Sequence, residues 1–253
     1  MYLQALIALV PWWFIALFPD GESAWDSLVP GWERAGAEVV RQRAARGEVF
    51  RSLGVNEAEC EAIIFPEQLR FSRLQNGLEQ AALFALYVRG GKEAADFSIG
   101  PFQMKPSFAE EVERAWMRSE LRHAYRLYFP VSESADTRRR RVERLSDERW
   151  QCVYLACFVR LLLEREPGLA ALPATERVSL LATAYNTRFS ASMKEWKEWQ
   201  HRKRFHLDLL PSCGTVYHAY AGLAVEWFRQ GVRKERNKDI AEPKSLQSRA
   251  NKN

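Results

Sequence analysis

The sequence predicts a mainly α-helical domain, and three observations carry that expectation. Apolar residues recur at helical spacing along most of the chain, with no convincing run of alternating strand pattern. Start and stop signals bracket the periodic stretches. At 253 residues, with 47% hydrophobic and 12% aromatic side chains, the chain can bury one substantial core. No internal repeat breaks it into smaller units.

The helices are expected near 32–53, 57–71, 77–90, 107–121, 140–165, 174–187 and 215–230. Pro30 precedes the first and Gly54 follows it. Asn56 with Glu59, Asn76 with Glu79, and Ser107 with Glu110 have capping-box spacing and open the next three. Gly90-Gly91 closes the third. Pro167-Gly168 closes the long apolar helix through Trp150 and Leu163, which is apolar on most sides and so central to the core. The segment 91–106 is the long non-helical stretch within this pattern.

The two ends differ from the body. Residues 2–18 are uncharged and meet Pro19-Asp20-Gly21. Segment 1–24 is therefore expected to be a signal peptide or an N-terminal membrane anchor, with the chain exported to the periplasm or envelope. Pro11 and the absence of a preceding Lys or Arg argue instead for a buried N-terminal helix. Residues 25–233 form the expected domain, and the polar, charged stretch 234–253 is expected to be disordered. The net charge of +5 rises to +7 if Asp20 and Glu22 leave with a cut after Ala24. A cationic exported protein is drawn to anionic wall, lipid or nucleic acid. The run Arg138–Arg141 suits a solvated helix start balanced by Glu143, Asp147 and Glu148, so no nucleic-acid partner is expected. Cys60, Cys152, Cys157 and Cys213 form no CxxC pair, and no His stands at zinc spacing. Buried free thiols are the expectation, with one long-range disulfide open if the chain is exported. No cofactor is implied.

The residues that could do chemistry fall in three places. Glu67 follows Ala62-Ile-Ile-Phe-Pro66, so a carboxylate emerges from an apolar helix that Pro66 is expected to kink or end. Such a group is half desolvated, which raises its pKa and keeps a proton available near neutrality. An ion pair with Arg70 is the plain alternative. Glu79 is its competitor, though the capping box already accounts for it. The second place is residues 96–108, where Gly, two Pro, a Gln and three Phe lie between helices. A ligand cleft wants that mixture of apolar walls and a few placed polar groups. Within it Gly100 permits close backbone approach or a turn with positive φ, and Gln103 offers a neutral donor and acceptor for a sugar hydroxyl or N-acetyl group, or equally for a loop-fixing bond to the backbone. Asp96 is better explained as a turn cap than as a water-orienting group. The third is Ala184-Tyr185-Asn186, two neutral polar groups at a helix end that can hold a carboxylic acid without forcing it to ionise. Trp196 and Trp199 suit either sugar stacking or helix packing.

The order of these elements resembles the lysozyme-like superfamily, in particular the lytic transglycosylases and goose-type lysozymes. The resemblance covers about half the chain, 57–190, and rests on Ala62-Ile-Ile-Phe-Pro-Glu67, Gly100-Pro-Phe-Gln-Met-Lys-Pro106 and Ala184-Tyr-Asn186. It implies a two-lobed helical fold with a central cleft for the peptidoglycan glycan strand. It implies Glu67 as general acid, Gly100 and Gln103 on the sugar side, and Tyr185 and Asn186 holding the acid and an N-acetyl group. In a transglycosylase the same carboxylate then acts as base and the sugar's 6-hydroxyl closes a 1,6-anhydro ring. In a hydrolase water attacks, usually with a second carboxylate opposite; none is well placed by sequence. The chain departs from the family at Gln68, where Ser is usual, at Arg188, where Gly is usual, and at Pro101-Phe102, where Leu-Met is usual. Glu67 lies 36 residues before Gln103, longer than usual, and Glu79 lies 24 before it, so Glu79 stays open as the acid. A non-catalytic exported module binding glycan or envelope components through a degenerate groove is the rival expectation.

Overall fold

A computed structural model describes residues 29–71, 78–208 and 211–250, and the expected leader or anchor at 1–24 lies outside them. The described chain is mainly helical, with ten helices and a single two-stranded sheet. Helix α1 spans Trp32–Ser52 and α2 spans Glu57–Phe71. Gly54 ends α1 with φ +66° and its N–H on the Arg51 carbonyl. Asn56 caps α2 by accepting from the Glu59 N–H at 3.0 Å, as its spacing predicts. Helix α3 (Leu78–Gly90) and a 3₁₀ turn (Gly91–Glu93) lead into the irregular stretch before α4 (Pro106–Arg118). Short α5 (Leu121–Ala124) follows, then α6 (Ala135–Ser146), α7 (Glu148–Arg165), α8 (Ala174–Asn186) and α9 (Met193–Trp199). Strands β1 (Lys203–His206) and β2 (Tyr217–Ala219) pair antiparallel and hand over to α10 (Tyr220–Ala250).

Four expectations change. The helix expected over 140–165 is two, because Asp147 takes an extended conformation and caps α7 by accepting from the N–H groups of Arg149 and Trp150. A short polar side chain offers the backbone an alternative to continuing the helix. The Ser107 capping box does not form: α4 starts one residue earlier, at Pro106, which needs no amide partner there. The third change is that α10 continues through 234–250, the stretch expected to be disordered. Ten of its seventeen residues are Lys, Arg, Glu, Ala or Gln, all strong helix formers, although Pro243 lies among them. The box at Asn76 lies outside the described residues.

The fourth is the most informative, because α2 does not end at Pro66 but continues to Phe71. An interior Pro costs a helix about 3 kcal/mol. Eleven consecutive residues, Glu59 to Leu69, are buried here. Four of them are large apolar side chains, each worth about 1.5–3 kcal/mol when fully buried. Packing therefore outweighs the proline. Phe65 stacks on Trp227 of α10 at 4.2 Å, and the Tyr220 hydroxyl donates to the Ile63 carbonyl, which fixes the turn around Pro66 from outside.

Helix α2 also divides the core. Ile63 and Ile64 join the larger cluster around Leu155, Ala156 and Phe158 of α7, which is central as its apolar sequence predicts. Ala62, Phe65 and Leu69 join a second cluster with α1, α8 and α10. Tyr185 packs against both clusters, so the end of α8 sits at their seam. The arginine run is absorbed into the fold. Arg141 is buried and donates to Glu113 at 2.6 and 2.9 Å, Arg138 donates to the Val88 and Arg89 carbonyls, and Arg139 and Arg140 face Asp136. No helix among the described residues is long and apolar enough to cross a membrane.

Candidate active site

Glu67 is placed by α2 at the seam of the two clusters. It is 7% exposed, and its Oε2 is buried without a hydrogen-bond partner. Burial pushes its pKa up to about 7, with Arg70 one turn on pulling weakly the other way. The expected Glu67–Arg70 pair does not form as a salt bridge, and the Arg70 Nε is itself buried and unpartnered. Both side chains line a cavity of about 280 Å³, together with Gln103, Phe108, Tyr185 and Asn186. Residues from all three stretches named above thus meet at one cavity.

The opposite wall is a tight hairpin. Ile99 and Met104 exchange both backbone hydrogen bonds, at 2.9 and 3.1 Å, around Gly100-Pro101-Phe102-Gln103. Gly100 at φ +65° and Gln103 at φ +51° make the reversal possible. Gly100 serves the hairpin rather than the sugar side: it does not line the cavity, and a Cβ there would lie 2.1 Å from the Gln151 amide nitrogen. Gln103 does line it. Its amide N–H donates to the Gly100 carbonyl at 2.8 Å, which leaves the side-chain oxygen without a partner.

Two amides and a phenol hold this hairpin against the acid. Gln68, next to Glu67, donates to the Pro101 carbonyl at 3.0 Å and accepts from buried Arg46 at 3.1 Å. Gln151 of α7 accepts from the Phe102 N–H at 2.9 Å and donates to the Ile99 carbonyl at 2.8 Å. Tyr185 donates to the Phe102 carbonyl at 2.7 Å. Its hydroxyl therefore braces the wall instead of binding the Glu67 carboxyl. Burial, then the Glu67 charge, push the Tyr185 phenol well up, and the same two causes act on Tyr220. Tyr185 thus remains a neutral hydrogen-bond donor beside the acid. Asn186, the last residue of α8, is exposed at the cavity mouth.

Other expected residues land elsewhere. Asp96 accepts from the N–H and hydroxyl of Ser107, at 3.0 and 2.8 Å, and faces Lys105 at 3.7 Å; it fixes the start of α4 and does not reach the cavity. Of the three phenylalanines in 96–108, Phe97 packs on Phe84, Phe102 is fully buried under Arg46, and only Phe108 forms cavity wall, edge-on to Tyr185 at 5.2 Å. Glu79 stands in the first turn of α3, and its side chain lies outside the described residues. Trp196 is fully buried core, whereas Trp199 is half-buried and lines a neighbouring cavity. Glu111 on α4 was not singled out in the sequence. It puts a second carboxylate on the Glu67 cavity, one turn beyond Phe108.

A buried carboxyl that titrates near neutrality, on a cavity where amides stand beside Arg70, Lys105, Arg188 and Glu111, can deliver a proton to a bound oxygen and take one back. Among the described residues no group of three His, Cys, Asp or Glu is placed to hold a metal. The cysteines there are free thiols, with Cys213 exposed and the other three buried. Comparison with protein-family models, with curated proteins and with solved structures gives no match for the chain.

Proposed function

We propose that the chain is a peptidoglycan-cleaving glycosidase of lysozyme-like architecture in which Glu67 is the general acid. The observation that carries this reading is the buried Glu67 carboxyl, with its raised pKa and free Oε2, facing Gln103 across one cavity. Protonating a glycosidic oxygen requires a carboxyl that still holds its proton near neutral pH. The deprotonated form left behind is the base for the second half of the reaction. The partnerless Gln103 oxygen and the Asn186 amide suit the amide and hydroxyl groups of an N-acetylated sugar, and Phe108 suits its apolar ring face. Such a substrate lies outside the cytoplasm, and the uncharged segment 2–18 fits an exported or membrane-anchored chain.

The acid-bearing helix, the hairpin against it and the Tyr-Asn helix end support reading the two clusters as the family's two lobes, with the Glu67 cavity as the cleft. Transglycosylation needs no carboxylate besides this one, because the sugar's own 6-hydroxyl is the nucleophile. A second reading, hydrolysis, is favoured by the Glu111 carboxylate on the same cavity, which could orient a water.

Clearance of purified cell wall tests the proposal. Wild type should clear the suspension, and Glu67→Gln should lose at least about 10³-fold in rate, the upper part of the range for a general acid, with an unchanged circular dichroism spectrum. Undiminished clearance by that variant removes Glu67 from the role. Binding of wall without clearance by wild type leaves only a glycan-binding module.

A further inference from the structure

A second cavity, about 490 Å³, meets the Glu67 cavity at Asn186, Thr187 and Arg188. Its chemistry is different. Arg188, Arg202 and Arg204 line it and none of its lining side chains is acidic. Two of the guanidinium groups approach the Trp199 ring, Arg188 at 5.5 Å and Arg202 at 5.4 Å. Arg188 also pairs with Glu195, which α9 fixes through its capping box with Ser192. Among the described residues Arg202 and Arg204 have no carboxylate partner. Thr183, Asn186, Thr187, Gln200 and Tyr220 add neutral polar groups to the lining.

Arg202, unpaired over an indole, and Arg204, unpaired beside it, offer forks for a planar or tetrahedral anion, with Arg188 shared between Glu195 and the cavity. A surface that only needed solubility would intersperse acidic groups. We propose that this second cavity is a subsite for an anionic substituent, carboxylate or phosphate, carried on the same glycan that reaches Glu67. Its placement beside the cleavage site rests on the glycosidase reading, while its preference for an anion does not. The substituent would branch from the strand at the Asn186–Arg188 junction and lie across Trp199 between Arg188 and Arg202. A peptide arm ending in a free carboxylate and a phosphate ester on the sugar are its two possible sources.

Calorimetric titration of the Glu67→Gln protein with three wall fragments tests this: a disaccharide bearing its acidic peptide, the same disaccharide without the peptide, and a disaccharide phosphate. One anionic fragment should bind at least about tenfold tighter than the neutral one, equivalent to about 1.4 kcal/mol, and the advantage should shrink as salt rises. Which one does so identifies the source. Adding Arg202→Gln and Arg204→Gln, both at exposed positions, should bring the ratio close to one. Equal binding of all three fragments, binding of none, or a ratio that survives the double change overturns the subsite. Digestion of wall by the wild-type protein, run in parallel, separates the two proposals. Selective binding without cleavage removes the glycosidase and keeps the subsite, and cleavage without selective binding does the reverse.

Discussion

Glu67 owes its chemistry to its neighbours on α2 rather than to a charged partner. Its folded pKa of about 7 lies above the ordinary carboxyl value of 4.5, because burial disfavours the ionised form more than Arg70 favours it. The folded state therefore binds this proton more tightly than the unfolded chain. That contribution to stability is fully present below about pH 4.5 and is lost as pH rises to about 7. Above pH 7 an ionised Glu67 costs the fold on the order of 3 kcal/mol. Glu67→Gln should thus raise the melting temperature by several degrees at pH 8 and leave it nearly unchanged at pH 4. Scanning calorimetry at the two pH values checks this, and an equal effect at both would mean that Glu67 is solvated in the fold. Glu67 was legible in the sequence because a carboxylate directly after Ala-Ile-Ile-Phe-Pro is unusual in a way that desolvation explains. Arg70 was legible only as an ion-pair partner, and Glu111 and Tyr220 gave no local signal at all. Their meaning lies in the cavity they share with Glu67 or in the carbonyl they meet across the core.

The hairpin at 99–104 is where elements rather than residues make the site. Its shape depends on two left-handed positions and on amides from α2 and α7 that stand 33 and 49 residues away from the backbone groups they bind. Gly100→Ala would place a methyl group 2.1 Å from the Gln151 nitrogen at a φ that L residues avoid. It should cost more than about 2 kcal/mol and lower the rate of wall cleavage as the Gln103 wall shifts. A melting temperature and a rate equal to wild type would show that the hairpin tolerates both. The sequence marked Gly100 and Gln103 and left Gly100 open between close approach and a reversal, which look alike without the Gln151 contact; only the family resemblance put it on the sugar side. Gln68 looked like a departure from the family pattern, and in the fold it ties the acid helix to the opposite wall. The helices themselves were largely legible from periodicity and caps. The break at Asp147 was not, since an Asp inside a helical pattern is equally a surface residue. Nor was the sheet: β1 buries one residue of four, Phe205, too few to show alternation.

At the scale of the whole molecule, the position of the site follows from how the core divides. Helix α2 sends one face into each of two hydrophobic clusters, so a polar residue on the line between them is buried by both. Tyr185 lies on the same line from α8, and the hairpin covers it. The two adjoining cavities then run from the carboxyl outward to the arginines around Trp199. The central claim is that this arrangement cleaves a glycan strand with Glu67 as its acid, and mass spectrometry of soluble products from purified peptidoglycan tests it most directly. Wild type should release disaccharide-containing fragments, with 1,6-anhydro ends for the transglycosylase reading and reducing ends for hydrolysis, and Glu67→Gln should release neither. No glycosidic fragment from the wild-type protein, or the same fragments from the Glu67→Gln protein, would contradict the account.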